Sequence, residues 1–497
     1  MKHNYFTIVL MALALPVSVQ ATSVGATTVG TTSVGTTSVG TTSVGTTSVG
    51  ATSVGATSVG ATTQQNALSL EQAITLAQQN DPWLHGNHLK QQAVEHASIA
   101  ANTLPDPKVS VGMMNLPTDG WNLSQEGMTQ FKVGVSQMFG RGDSLAIKSK
   151  QLKLSATQFP LQRQDRKAKL QSNITQLWLD AYLAQKTIAL IKQDRVLFEQ
   201  IAEVAKAGYS SVVGKTRQQD VVRAQLELIQ LEDRLTVEQQ KLETALAQLN
   251  EWLHIYDATA LDVAYDFDKQ RTAFTVSDNL PHLELAYAAL LKPEHYVRNE
   301  LAKLLLNHPV NRAIDVKQQV SEQTIALNKQ LYQPQWGVNA SYGYRDDMPS
   351  GMSRADLFSV GVTFDLPLFT KNKQDKQVAA AVAESEAVKT DKLLMVKQML
   401  SAVEKELKQL NRLSDRQTLY ATQLLKQAHY QAEAALTAYT NDDGDFAEVV
   451  RARIAELNAR IAALKIDVDA LKSVTRINYL LTQATQPAEQ PHALGAN

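Results

Sequence analysis

Residues 335–344, QWGVNASYGY, and residues 357–365, LFSVGVTFD, alternate apolar side chains with small or polar ones. Successive side chains of a β-strand point to opposite faces of a sheet, so this period of two predicts strands with one apolar face. The stretch between them, Arg345 to Asp356, is polar. We therefore expect a strand pair at about residues 334–366.

A weaker copy of the same pattern lies upstream, at about residues 107–138. Val109, Val111 and Met113 alternate with small residues, and Phe131 and Val133 begin a second alternating run. A polar loop separates the two runs. The chain thus carries four predicted strands in two pairs.

The two strand pairs belong to an internal duplication. Residues 80–82, NDP, recur as residues 307–309, NHP, and Phe131-Lys-Val-Gly-Val135 recurs at the same spacing as residues 358–362, FSVGV. The later motif VVRA at residue 221 recurs at residue 449, slipped by one position. A shared spacing over this many landmarks indicates two structural repeats.

Long helices follow each strand pair. One is expected from about Ser144 to Gly208, which is about 100 Å at 1.5 Å per residue. Apolar residues along it keep a 4-3 spacing, as they do along the last helix, and this spacing is typical of coiled coils. The stripes are Leu170, Ile174, Leu177, Ala181, Ala184, Ile188 and Ile191 in the first helix, and Val450, Ile454, Leu457, Ile461, Leu464, Val468 and Leu471 in the last.

The ends and joints of the chain complete its expected organisation. Lys2 and a short apolar run before Val19-Gln-Ala21 resemble an export signal, and pentads such as Thr-Thr-Ser-Val-Gly follow. In chain order we predict a signal peptide (1–21), a low-complexity linker (22–63), a first repeat (64–254), an equatorial linker (255–299), a second repeat (300–483) and a flexible tail (484–497).

Composition excludes several classes of function. Lys and Arg (48) balance Asp and Glu (49), and the chain has no long basic run of the kind that binds nucleic acid. It has no cysteine, so we expect no disulfide, no thiolate metal site and no lipid anchor. His85 and His88 lie one helical turn apart without a matching third ligand. We predict no bound metal, no cofactor and no enzymatic activity.

Export without a membrane-spanning helix favours an outer-membrane β-barrel, in which the apolar strand faces meet lipid. Four strands cannot close a barrel, because known barrels have at least about eight. An open sheet edge in lipid would leave backbone groups unpaired at several kcal/mol each. The chain must therefore oligomerise if this interpretation holds: two copies give eight strands, and three give twelve with room for a passage.

Two stretches carry a resemblance to a known family. Gly214 through Gln225, GKTRQQDVVRAQ, and Tyr439 through Ala452, YTNDDGDFAEVVRA, resemble TolC-like outer-membrane efflux factors, most of all the channels of heavy-metal pumps of the resistance-nodulation-division (RND) type. The resemblance implies a mainly α fold with membrane β-strands, in a homotrimer. Four strands per chain would contribute to a 12-stranded barrel, continued by a helical periplasmic tunnel.

The same resemblance implies a function and partners. The trimer would be a passive duct in the outer membrane, extending into the periplasm. A periplasmic adaptor would open it and an inner-membrane RND pump would supply it with heavy-metal cations. Two alternatives stay open: the same duct exporting drugs or other small molecules, and a trimeric outer-membrane adhesin, whose strands would sit together at the C-terminus.

Family members close the periplasmic tip with an Asp bonded to a Tyr and an Arg. Asp220 falls on the Asp position and Tyr439 on the Tyr position, whereas the Arg position aligns with Gly444. Arg217 or Arg451 is the substitute that the sequence offers. The alternative is that Asp220 simply caps a helix.

Family members also line the tip with acidic residues. Glu448 matches one such position, and Asp442, Asp443 and Asp445 add negative charge at the mouth. A threefold ring of these residues would attract cations. An ordinary solvated turn rich in Asp and Gly explains the same residues.

Overall fold

The computed structural model describes residues 67–210, 217–253, 274–291, 297–441 and 444–485. The predicted signal peptide and pentapeptide linker lie outside these ranges, as do residues 486–497 of the predicted tail. Within the described ranges, no helix has both the length and the apolar character needed to cross a bilayer.

The described elements follow the same order twice: helices, a strand pair and a long helical hairpin. The first series is β1 (Ala67–Leu68), α1 (Leu70–Asn80), α2 (Pro82–Ala100), β2 (Lys108–Met114), β3 (Gln130–Met138), α3 (Ser144–Ala156), α4 (Gln158–Ser210) and α5 (Gln218–Leu253). After β4 (Thr275–Val276) and α6 (Ala288–Leu291), the second is α7 (Arg298–Leu306), α8 (Pro309–Lys329), β5 (Trp336–Tyr344), β6 (Leu357–Phe364), α9 (Gln374–Leu419), α10 (Leu425–Thr440) and α11 (Phe446–Leu480). A π-helical turn, Tyr420–Leu424, joins α9 to α10.

The four predicted strands form one antiparallel sheet in the order β2-β3-β5-β6. Its central pair joins the two halves of the chain, with Val133 of β3 opposite Tyr342 of β5. On its other side Val133 lies opposite Val111 of β2. Strands β2 and β6 have no described strand on their outer sides. The sheet therefore ends in two open edges.

The expected helix from Ser144 to Gly208 is interrupted, which corrects that prediction. It breaks at Thr157 into α3 and α4, and the Thr157 nitrogen instead donates to the Leu154 oxygen (3.1 Å). Pro160 explains the break, because its nitrogen has no hydrogen to donate to the Ala156 oxygen and its ring crowds that carbonyl.

The helices pack side by side through the predicted 4-3 stripes. One hydrophobic cluster, which we call the equatorial cluster, joins α4 to α5. Its buried members include Leu170, Ile174, Trp178 and Ala181 of α4 with Leu249 of α5. Farther along, α4, α5 and α11 share a second cluster. The predicted stripe on α4 is therefore the face that packs on α5 and α11.

The start of the predicted flexible tail is held by hydrogen bonds to Asn307 and Gln164. The Ala484 nitrogen donates to the Asn307 oxygen (2.9 Å). Gln164 forms two hydrogen bonds with the backbone of Thr485, at 2.8 and 3.1 Å. Residues 484 and 485 thus belong to the ordered structure.

Candidate functional site

The free ends of the two helical hairpins meet in a hydrophobic tip cluster. It comprises Phe198 and Ala205 of α4, Ala224 of α5, and Phe446 and Val450 of α11, with further residues toward the equator. Side chains of both hairpins are buried in it. The two tips, which are far apart in sequence, are therefore one structural unit.

Asp220 lies at the start of α5 and is 7% exposed. Its carboxylate accepts a hydrogen bond from the backbone nitrogen of Arg217 (2.9 Å). This is the reciprocal half of a capping box, in which a side chain on the third helical residue satisfies the N–H of the residue before the helix. The cap predicted as the alternative role of Asp220 is present.

Tyr439 lies near the end of α10 and packs on the tip cluster. Its ring meets the edge of Phe446, with centroids 5.7 Å apart. Val221, the neighbour of Asp220, packs on the same cluster. The structure thus brings the Asp and Tyr positions of the predicted latch to the same end of the molecule.

The side chains of the two arginines suggested for the latch do not pair with Asp220 in the part of the chain that the structure describes. The Arg451 guanidinium pairs with Glu448 one helical turn before it (3.1 Å) and donates to the Ala447 oxygen (3.2 Å). Arg217 is exposed. Among the described residues, neither guanidinium forms an ion pair with Asp220.

Gly444, at the Arg position of the family pattern, lies against the end of α10. A Cβ built there would be 2.6 Å from the Tyr439 nitrogen and 2.8 Å from the Ala438 carbonyl carbon. Both neighbours are backbone atoms, so neither can rotate away. A side chain at this position would therefore clash with the backbone at the end of α10.

The acidic residues of the tip divide into three groups. Asp445 caps α11 by accepting from the Ala447 nitrogen (3.3 Å). Glu448 is paired with Arg451. Asp442 and Asp443 lie outside the described residues. Asp445 and Glu448, the two described residues of this acidic set, therefore each bind a group on α11.

A charged network that sequence reasoning missed holds α10 to α11 below the tip. Glu456 accepts from His429 of α10 (2.8 Å) and from Arg453 (2.9 Å), and Arg453 also pairs with Glu433 of α10 (2.7 Å). Burial acts to raise the pKa of Glu456, but the hydrogen bonds from His429 and Arg453 outweigh it and lower that pKa. The network spans two helices, so only the Arg453–Glu456 spacing along α11 was visible in the sequence.

A second missed pair ties α11 to α4. Arg460 donates to Asp194 (2.8 Å), which is 5% exposed. Burial raises the pKa of Asp194, and the nearby guanidinium offsets this only in part. Together with the tip cluster, the Arg460–Asp194 pair holds the second hairpin against the first.

The sheet at the opposite end has two unlike faces. One face is apolar and exposed, with Phe358 at 71% and Val109 at 67%. Pairing across the strands keeps this face continuous, since Val109 lies opposite Val135 and Val338 opposite Val362. Its other members include Val111, Met113, Phe131, Val133, Trp336, Ala340, Tyr342, Tyr344, Val360 and Phe364.

The polar face carries the glycines of the four strands. A Cβ at Gly134 would lie 2.8 Å from the Ser110 hydroxyl oxygen, and one at Gly361 would lie 2.9 Å from the Asn339 amide oxygen. These glycines therefore leave room for polar side chains of the neighbouring strands.

Neither the strands nor the helices offer an evident metal centre. Across the described ranges, no three His, Cys, Asp or Glu side chains come together as ligands.

No protein-family model and no curated protein sequence matches the chain. Solved structures do. The CmeC outer membrane channel of Campylobacter jejuni is 12% identical, with a TM-score of 0.65 over 83% of this chain and 85% of that one. The open-state MtrE outer membrane channel of Neisseria gonorrhoeae is 14% identical, with a TM-score of 0.61 over 83% and 88%. CusC, described in terms of folding and transmembrane channel formation, is 13% identical, with a TM-score of 0.64 over 84% and 92%.

At this level of identity, these similarities concern the fold. The chain has the fold of the TolC-like outer-membrane channels that its sequence resembles.

Proposed function

We propose that the chain is the outer-membrane component of a tripartite efflux system, a passive duct built from three copies. The two-faced sheet is the observation that carries this proposal. Its exposed apolar face suits lipid, and its polar face suits an aqueous lumen. No catalytic chemistry is needed, since a duct only has to hold a passage open.

Aromatic residues support the membrane setting of the sheet. On the apolar face, Trp336 and Phe364 pack together at the helical end, with ring centroids 5.0 Å apart. Tyr344 and Phe358 lie at the loop end, with valines between the two groups. Aromatic girdles on both sides of an apolar band are typical of outer-membrane barrels.

The open edges support assembly into a ring. The first half supplies one edge of the sheet, β2, and the second half supplies the other, β6. The helical array also ends in α5 on one side, where Ile229 is 67% exposed, and in α9 and α10 on the other, where Leu393 is 71% exposed. Head-to-tail contacts between unlike edges close into rings, and three copies give twelve strands.

The tip is the proposed gate. Asp220 and Tyr439 would hold it closed by a few hydrogen bonds, each worth about 1 kcal/mol and weak enough to yield to an adaptor. Arg217 or Arg451 would join the latch only after leaving its present position. Replacing Asp220 with Ala and Tyr439 with Phe should raise ion conductance in a planar bilayer. Wild-type conductance in that variant would reject the latch.

The partners and cargo follow from the resemblance. A periplasmic adaptor would dock on the helical hairpins and an inner-membrane RND pump would load the duct. Heavy-metal cations are the proposed cargo, with drugs or other small molecules as the alternative. A deletion strain should lose tolerance to zinc, cobalt, cadmium or copper. Unchanged tolerance to all four metals, with lost tolerance to a drug panel, would reassign the cargo.

The lipid-facing assignment is tested by two neighbouring substitutions on β6. Val360→Lys places a charge on the apolar face, which costs about 2–4 kcal/mol at the bilayer midplane. Ser359→Lys places the same charge on the polar face. We expect Val360→Lys to abolish recovery of trimers from the outer-membrane fraction and Ser359→Lys to preserve it. Equal recovery of the two variants, or wild-type protein in the soluble periplasm, would overturn the duct.

A further inference from the structure

The four strands of the sheet contain two charged residues, and both are lysines. Lys108 begins β2 and Lys132 lies in β3, while none of the strand segments 108–114, 130–138, 336–344 and 357–364 contains an acidic residue. Because Lys108 lies opposite Ser136 and Lys132 opposite Gly112, both belong to the polar face.

Lys132 lies on an inner strand of the sheet, β3, whereas Lys108 begins the edge strand β2. Its neighbours in register are Gly112 on β2 and Gly343 on β5. The Gln130 side chain covers Gly343, but a Cβ at Gly112 would meet no atom within 4 Å. Lys132 is partly buried, and open space lies beside it on the Gly112 side of the polar face.

The arginines at both ends of the sheet have acceptor partners within the chain. Arg141 pairs with Asp365 at the helical end. Arg354 donates from its two terminal nitrogens to the backbone oxygens of Glu126 and Ser124 at the loop end, both at 3.0 Å. Among the described residues, by contrast, no carboxylate pairs with Lys132 or with Lys108.

We infer that the barrel section of the duct selects for anions, with Lys132 as the residue that determines this preference. The inference rests on the proposed trimeric duct. Closing the ring brings β6 of one copy beside β2 of the next, and β6 adds no carboxylate. Three copies thus place six lysines on a wall without acidic residues in its strands. Lysine rings of this kind select anions in pores.

The inference narrows the class of cargo. A bare metal cation would have to pass a positively charged ring in a confined lumen, where the field of the wall is focused. An anion is favoured there. A metal exported by this duct would therefore cross the barrel section as an anionic complex.

The test is the reversal potential of the full-length trimer in a planar bilayer under a KCl gradient. Lys132→Gln should lower the chloride-to-potassium permeability ratio by at least about twofold. Lys132→Glu should lower it further, and Lys132→Arg should keep it. Lys150→Gln, an exposed lysine on α3, is the matched control and should leave the ratio unchanged.

A measurement on the wild-type protein makes the test independent of variant folding. Inorganic phosphate added to the bath should reduce the wild-type current more than the same ionic strength of chloride does. Absence of phosphate block, or a permeability ratio that is equal in wild type and Lys132→Gln, would overturn the anion preference alone. A wild-type protein that does not insert into the membrane would instead overturn the duct.

Discussion

Asp81 in the first half and His308 in the second occupy equivalent positions of the duplication. They share a role as helix caps, but their other contacts differ. Each is buried and precedes the proline that begins a helix, α2 or α8. Each accepts from the backbone nitrogen two residues later, at 3.1 Å in the first half and 3.2 Å in the second. Both therefore cap their helices.

Their remaining contacts have different chemistry. Asp81 pairs with Arg166 (2.7 Å), whose guanidinium lies over the rings of Trp83 and Trp252. The Nε2 atom of His308 instead contacts the backbone carbonyl oxygen of Tyr479 (3.2 Å). The two rings pack edge to face. The duplication has preserved the acceptor that a helix start requires. The groups packed around that acceptor differ: the first half has an ion pair with Arg166, and the second has the ring of Tyr479.

The largest effect is expected from removing the charge in the first half. Asp81→Asn keeps a capping acceptor but leaves Arg166 without its partner. Removing one member of a buried pair costs about 3–5 kcal/mol, and we expect about 3 because Arg166 is partly exposed. Chemical unfolding followed by tryptophan fluorescence measures the loss, since Trp83 and Trp252 contact the arginine.

An exposed ion pair provides the control for that measurement. Lys303 pairs with Glu300 on α7, and both side chains are more than half exposed. Lys303→Ala should change the free energy of unfolding by at most about 0.5 kcal/mol. A loss of equal size for Lys303→Ala and Asp81→Asn would mean that the buried pair has no special role.

The next effect concerns the tip of the second half, where α10 approaches its own loop. Gly444→Ala should destabilise the tip by about 1–3 kcal/mol, because the new Cβ meets backbone atoms. Gly86→Ala in α2 is the matched control, since a Cβ there meets nothing within 4 Å and the helix should gain about 0.5–1 kcal/mol. Hydrogen exchange at the ends of α10 and α11 reports the change. Normal protection in Gly444→Ala would show that the backbone adjusts freely.

The third effect is the pH dependence that His308 gives to the second half. Burial lowers the pKa of His308, although Asp165 and the bond to Tyr479 act in the opposite direction. The unfolded chain has the ordinary value of about 6.5 and so binds more protons just below that pH. The free energy of unfolding should therefore fall as pH drops from about 6.5 toward the lowered pKa.

His308→Asn keeps a capping acceptor and removes the titrating group. The unfolding midpoint of the wild type should decrease between neutral and mildly acidic pH, and His308→Asn should show less of this decrease. His88→Asn on the exposed face of α2 controls for the loss of any histidine. An identical pH slope in wild type and His308→Asn would assign the dependence to other groups.

Features that depend on local pattern could be predicted from the sequence. The strands follow from the alternation around Trp336 and Val133, and the helix starts follow from Pro82 and Pro309. The break at Thr157 had a local signal in Pro160, which lies before the 4-3 stripe that begins at Leu170. The contacts of Arg166 and His308 could not be predicted, because they depend on how separate helices are rotated against each other.

The candidate site was predictable to the same extent. Asp220 and Tyr439 were found by motif, and both lie at the tip. Gly444 was recognised as a departure from the family pattern, but only the backbone of α10 explains it. The anion preference inferred for Lys132 needed the pairing register, which sets both the face that a strand residue occupies and the glycines beside it.

The smallest effect distinguishes the two tips by their caps. Asp220 accepts from the nitrogen before α5, whereas Asp445 accepts from within the first turn of α11. Asp445→Ala removes the N-cap itself and should cost about 1 kcal/mol, while Asp220→Ala should cost about half of that because it removes only the reciprocal bond. Hydrogen exchange over the first turns of α5 and α11 measures both. If Asp220→Ala costs clearly more than Asp445→Ala, Asp220 makes a further contact in the assembled trimer, as the proposed latch requires.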